Sequence, residues 1–254
     1  ITTTTGNIVL QGNQQTSNEI DNGYGISLVT LGADTLTIES QGGDITLTGN
    51  ASSTAGVDRG IHINGASANA VGIESNGGAI SLTGSFPTGT GVGQIDHGIH
   101  TTNLTVLNSG TGAITIEGDA SNSASNGSVR GITFESTRIQ TDSGSIDITG
   151  TAGKASSNSR GITVESDNLS VLSASGAIII VDQAPDGLTG TYKGLYLQPS
   201  SNNSIVFGAD GTNVATSSSA IPLHADKLRF VGNTSLIDTS GAVVVESDAT
   251  SFSG

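Results

Sequence analysis

One phrase, repeated at a nearly constant interval, limits what this chain can fold into more than any other feature. Gly, any residue, apolar, any residue, apolar, polar and usually Gly first occurs as Gly6-Asn-Ile8-Val-Leu10-Gln-Gly12. It returns from Gly43, Gly78, Gly112 and Gly144, carrying Ile45/Leu47, Ile80/Leu82, Ile114/Ile116 and Ile146/Ile148. A variant starts at Gly176 with Ile178 and Ile180, and a last copy at Gly241 with Val243 and Val245. Starts from Gly6 to Gly176 lie 37, 35, 34, 32 and 32 residues apart, and the 65 residues from Gly176 to Gly241 fit two periods around a degenerate copy. A unit this short cannot bury its apolar side alone, so neighbouring units must stack.

Two further phrases keep step with the first. Gly-Ile recurs at Gly25-Ile26, Gly60-Ile61, Gly98-Ile99, Gly131-Ile132 and Gly161-Ile162, with Gly194-Leu195 closing the series. A third appears as Leu36-Thr-Ile38, Leu104-Thr-Val106 and Leu169-Ser-Val171, with Val71-Gly-Ile73 and Arg138-Ile139 as weaker members. All three alternate apolar and polar residues, the signature of a strand with one buried face, and no useful stretch has a helical period. The pattern therefore predicts an all-β, right-handed parallel β-helix with three short strands per coil of 32–37 residues and about seven coils. Equivalent residues then stack about 4.8 Å apart. Ile45, Ile80, Ile114, Ile146 and Ile178 form one internal ladder, and Leu47, Leu82, Ile116, Ile148 and Ile180 another. An antiparallel sandwich competes poorly, because it does not require one register to be kept over five copies. The glycines bracketing the strands are expected to turn corners at positive φ or to sit where no Cβ fits.

The chain reads as one β-helix segment over 1–254, regular over 6–182 and less regular over 183–254. Residues 50–58, 85–96, 119–129 and 151–159 are the expected variable loops. After Asp182 prolines enter, and Ala220-Ile221-Pro222-Leu223 reads as a late copy of the second phrase. Gly, Ser, Thr and Asn supply 122 of the 254 residues while aromatics are 3%, which stacked aliphatic ladders explain. A net charge of −14 argues against nucleic acid and anionic membrane as partners. No run of 18 apolar residues suggests a membrane span. Zero cysteines exclude disulfide staples, Cys–zinc sites and thiol nucleophiles. A chain without any Met is expected to be a processed or excised piece of a longer protein.

The Gly-x-Ile-Thr-Leu-Thr-Gly phrase, followed by a Ser/Thr/Gly/Asn loop and a Gly-Ile strand, resembles the repeats of filamentous-haemagglutinin-like adhesins and related giant bacterial surface proteins. The resemblance covers the whole chain and lies in its repeat grammar. It implies a secreted, cell-surface shaft or fibre segment, structural or adhesive, without enzymatic activity or cofactor. The Asn-Pro motif of the family's secretion domain is absent, so the shaft is the part resembled. Expected partners are neighbouring coils, copies of the chain stacked end to end through open coil edges, and host or matrix glycans or proteins. In a filament the Ile8/Leu10 coil would pair with the Val243/Val245 coil. The other class to weigh is a carbohydrate-active β-helix, a polysaccharide lyase, hydrolase or tailspike.

Candidate chemistry is sparse. The ladder that departs most from composition precedes the Gly-Ile phrase: Arg59, His97, Arg130, Arg160 and Lys193, with Tyr24 in the first coil. It would bind anionic glycan or a partner's carboxylates, or it pins the loops by pairing with Asp58, Glu135 or Glu165. Like charges one coil apart repel unless countered, which favours pinning. Glu135 and Glu165 are expected to stack, with Glu74 in a comparable place; two such carboxylates can share a proton, but a solvated acidic ladder beside basic neighbours is the favoured reading. His62 and His100 share a column; no third ligand of matching spacing joins them, so outward stacking is expected rather than a metal. Adventitious calcium would fall to Asp182 with Asp186, or to Asp210. Of the six Asn-x-Ser/Thr sites, Asn103 and Asn168 share a repeat position and suit a turn or an Asn stack.

Overall fold

The computed structural model describes residues 1–14, 23–52, 56–68, 70–86, 95–108, 110–123, 127–153, 158–165, 167–183, 194–225, 228–230 and 235–247. Its described residues form strands, turns and bends, with no helix. All strand pairs are parallel and fall into three sheets of eight, seven and eight strands, close to the seven coils the periodicity predicts. Sheet I holds the first phrase: Ile8–Asn13, Ile45–Asn50, Ile80–Ser85, Ile114–Asp119, Ile146–Thr151, Ile178–Gln183, Ile221–His224 and Val243–Glu246. Sheet II holds the Gly-Ile strands, from Tyr24–Val29 through Arg59–Asn64, Ile95–Thr102, Ser128–Glu135 and Asn158–Glu165 to Leu195–Gln198 and Leu228–Phe230. Sheet III holds the third phrase, from Thr2–Thr3 to Leu236–Asp238. Each coil runs from sheet I to II to III, and each strand pairs with its counterpart one coil away.

Both expected ladders exist in register, Ile45 to Ile178 and Leu47 to Ile180. Every member is at most 2% exposed, and the facing residues of sheets II and III complete one continuous core. Each such side chain gains roughly 1.5–3 kcal/mol on leaving water, so stacked aliphatics suffice without aromatic bulk.

The repeat glycines owe their place to lack of room. None of those opening or closing the first phrase has positive φ. A Cβ on Gly49 would lie 2.1 Å from the carbonyl oxygen of Gly60, and one on Gly84 would lie 2.3 Å from that of Gly98. The first-phrase and Gly-Ile glycines therefore face each other where sheet I meets sheet II, backbone against backbone.

At the turn from sheet III to sheet I a polar column is buried: Ser40, Ser75, Asn108, Thr141 and Ser173, in register and at most 2% exposed. Ser40 Oγ accepts from Gly43 N at 2.8 Å and Ser173 Oγ from Gly176 N at 2.9 Å, while Asn108 Nδ2 donates to the carbonyls of Gly78 and Gly112. Buried polar groups must find partners, and here they serve the turn that re-enters sheet I.

Two sequence expectations need correction. Ile221–His224 belongs to sheet I, with Leu223 opposite Ile180 and Ile221 opposite Val243. It is thus the degenerate first phrase, and Leu228–Phe230 supplies the second-phrase strand of that coil. Unequal coils hid this: 43 residues separate Ile180 from Leu223, and 22 separate Ile221 from Val243. The extra length of the longer coil folds over sheet III, where Ala209 and Val214 pack on Leu172 and Arg138 Nη1 donates to Asn213 Oδ1 at 2.8 Å. Glu74 lies opposite Glu39 in sheet III, not in the column of Glu135 and Glu165. Of the two roles expected for the repeat glycines, lack of room for a Cβ holds at those of the first phrase, while positive φ occurs at Gly194 of the Gly-Ile series. Asn103 does sit at a turn with positive φ, as does Ser136 one coil later, and Asn103 Nδ2 donates to Gly65 O. Asn168 Oδ1 accepts from Ser204 N at a turn of its own.

Candidate functional site

Polar side chains capable of chemistry converge on the outer face of sheet II. Its first column runs Tyr24, Arg59, His97, Arg130 and Arg160, in the register the repeat predicts. Lys193 and Asp186 lie outside the described residues. The second column runs Ser27, His62, His100, Thr133, Thr163, Tyr196 and Arg229. Asn64, Thr102 and Glu135 form a third, with Glu165 one coil further on, opposite Gln198. Strict alternation would send the first column inward, because Ile61 and Ile99 already face the core. The rings of His97 and His100 nevertheless stack at 4.9 Å, so residues three apart share one side. The break falls at the Gly-Ile glycine, whose backbone is pressed against sheet I.

The face divides into two linked clusters. In the first, Tyr24 stacks on His62 at 4.9 Å, His62 on His100 at 5.6 Å, and Arg59 Nη1 donates to Tyr24 Oη at 3.2 Å. Glu135 takes His100 Nε2 at 3.2 Å and the Thr102 hydroxyl at 3.1 Å. In the second, Glu165 is shared by Arg130, at 2.9 Å, and Arg160, at 2.6 Å. Arg160 lies 4.1 Å from the Tyr196 ring centre and Arg229 lies 5.3 Å from it, while the Tyr196 hydroxyl donates to Gln198. Tyr196 and Arg229 were missed from sequence. Counting two residues on from Gly194 finds the tyrosine, but Arg229 depends on the irregular register that follows.

Burial sets the electrostatics. It pushes the guanidiniums of Arg59 and Arg130 below their ordinary values. Burial, then the charges of Arg59 and His100, bring His62 down to about 4, and fully buried His97 falls well below the usual imidazole value. The bond from His100 holds Glu135 low. Burial alone would raise Glu165, but the bond from Arg160 and the charge of Arg130 outweigh it. At the entry to the sheet, Asp58 Oδ1 accepts from Gly23 N and Asp96 Oδ2 from the Ser123 hydroxyl, and burial raises Asp96.

Glu135 and Glu165 thus have separate cationic or hydrogen-bonding partners, an arrangement unlike a proton-sharing pair. His62 and His100 are stacked face to face, and no group of three or more His, Cys, Asp or Glu suited to a metal occurs among the described residues. Asp210 Oδ1 accepts from Thr212, Asn213 and Val214 N, and its other oxygen accepts from Asn213 Nδ2, so both serve its own turn.

Glu165→Gln should remove the one negative charge between two largely buried guanidiniums. Such a loss in a sealed pair costs about 3–5 kcal/mol, reduced here to about 1–3 because the carboxylate is 37% exposed. Glu74→Gln, which relieves the in-register Glu39–Glu74 pair, should be neutral or slightly stabilising. Urea unfolding midpoints of the two variants check this contrast. No known protein family, curated protein or solved structure matches this chain.

Proposed function

We propose that this chain is a non-enzymatic shaft segment of a bacterial extracellular surface protein, giving length and stiffness that hold other parts away from the cell. The observation that supports this best is the ladder of sheet I, eight strands paired in parallel from Ile8–Asn13 to Val243–Glu246, each in register with its neighbour. In such a stack each rung is fixed by the next, and about seven rungs extend on the order of 35 Å. The repeat grammar shared with filamentous-haemagglutinin-like adhesins points the same way. So does the use of the sheet II charges on one another, which leaves the guanidiniums of Arg130 and Arg160 committed to Glu165.

A shaft tolerates a change of length. Excising 144–175, one whole 32-residue period, should leave a folded β-helix whose longest dimension in small-angle scattering is shorter by about 5 Å. The intact chain should release no reducing ends from a panel of acidic polysaccharides. Turnover on that panel, abolished by Glu135→Ala, would instead establish the carbohydrate-active reading.

A further inference from the structure

The imidazoles of His62, His97 and His100 are in contact on one face, in two successive coils. His62 Nδ1, both nitrogens of His97 and His100 Nδ1 are buried and have no hydrogen-bond partner among the described residues. Four unpartnered ring nitrogens in one cluster place a protonatable group where water does not reach it. The strand Tyr24–Val29 brings the Tyr24 ring against His62. Arg59 comes from the same strand as His62, and the strand carrying His97 and His100 also carries the buried Asp96. Ser128–Glu135 brings Arg130 and Glu135, and Asn158–Glu165 brings Arg160 and Glu165. Glu165 is engaged by Arg130 and Arg160, so Glu135 is the carboxylate in direct contact with an imidazole.

We propose that this imidazole stack makes the second and third coils an acid-sensitive joint in the stack of coils. At neutral pH the rings of His62 and His97 are uncharged and pack as flat plates. On acidification each added proton creates a cation facing Arg59, Arg130 and the other rings, with one carboxylate to offset them. Opening the rung lets the imidazolium reach water. The fourth and fifth coils carry no histidine, so they should not respond; His224 lies in a later coil of sheet I, beside Glu246.

The direction follows from the depressed imidazoles. A histidine held near 4 when folded and near 6.5 when unfolded stabilises the fold fully above 6.5 and loses that contribution as pH falls from 6.5 towards 4. Glu135 and Glu165 are held below their ordinary value of 4.5, so their contribution is lost only as pH falls from about 4.5 downward, at the lower end of that window and below the pH used in the test. Asp96, raised by burial from 3.8, works in the opposite sense, favouring the fold as it takes up its proton.

The test is hydrogen exchange on the intact chain at about pH 7 and about pH 5, corrected for intrinsic rates. Peptides spanning 59–64 and 95–102 are expected to lose about tenfold or more in protection at the lower pH, a change worth one pKa unit, while 146–151 and 158–165 keep theirs. In His62→Gln/His97→Gln the loss should vanish. Arg59→Gln, which removes a neighbouring cation, should reduce it and serves if the double variant does not fold. Equal protection of all coils at the lower pH would overturn the proposal. So would an undiminished loss in the histidine variant, or in Arg59→Gln where that variant has to serve.

Discussion

Gly84→Val is expected to abolish folding of the intact β-helix, with a cost above about 4 kcal/mol. The Cβ alone would lie 2.3 Å from Gly98 O and 2.6 Å from Ile99 Cγ1, and neither backbone nor core side chain has space to retreat. Gly98 is equally confined, since its own Cβ would meet Asp119 N at 2.4 Å. Relief therefore requires sheets I and II to separate, and in a stack that separation passes to the coils above and below. Gly77→Ala provides the contrast. Gly77 has φ +106°, but a Cβ there would meet nothing within 4 Å, so the substitution carries only backbone strain, about 1–2 kcal/mol. Far-ultraviolet circular dichroism and urea titration of both variants should show a cooperative transition lost in the first and merely shifted in the second.

Phe134→Ala should lower stability by about 3–5 kcal/mol without unfolding the chain at room temperature. The ring is fully buried and stands opposite Thr101 in the preceding coil and Val164 in the next. Thr101 also points into the core, where its hydroxyl pairs with that of Thr137 at 2.8 Å. Two small side chains make room for one large one, and the hydroxyls are satisfied by each other. Removing the ring leaves a cavity bordered by this polar pair, which the rigid neighbouring rungs cannot close. Thr115→Ala, on the outward side of the sheet I strand, should change stability by less than about 0.5 kcal/mol. Denaturation midpoints separate the two, and an equal effect would mean that Phe134 does not belong to the continuous core described.

The fate of the basic ladder shows how far sequence reasoning reaches. Placing Arg59, His97, Arg130 and Arg160 in one column needed only the period, and the strand register agrees. What the column does was not legible. Alternation from Ile99 places His97 inward, and only the compression of Gly98 against sheet I returns it to the face of His100. Pairing of Glu165 with both its own coil's Arg160 and the preceding coil's Arg130 depends on reach across rungs, which spacing along the chain does not encode. The buried Ser40-to-Ser173 column was in plain view three or four residues before each phrase glycine, yet composition made serine and threonine unremarkable there.

By itself, the sequence determined the period, the three sheets, the parallel pairing and the identity of the inward columns. Those follow from local alternation and from repetition, each of which acts residue by residue. Tertiary structure alone decided which outward residues meet, where Ile221–His224 joins the stack, and how the 43-residue coil folds its excess over sheet III. These outcomes depend on loop length, on backbone crowding between sheets and on desolvation of charges. All three are properties of stacked coils and are absent from any single one.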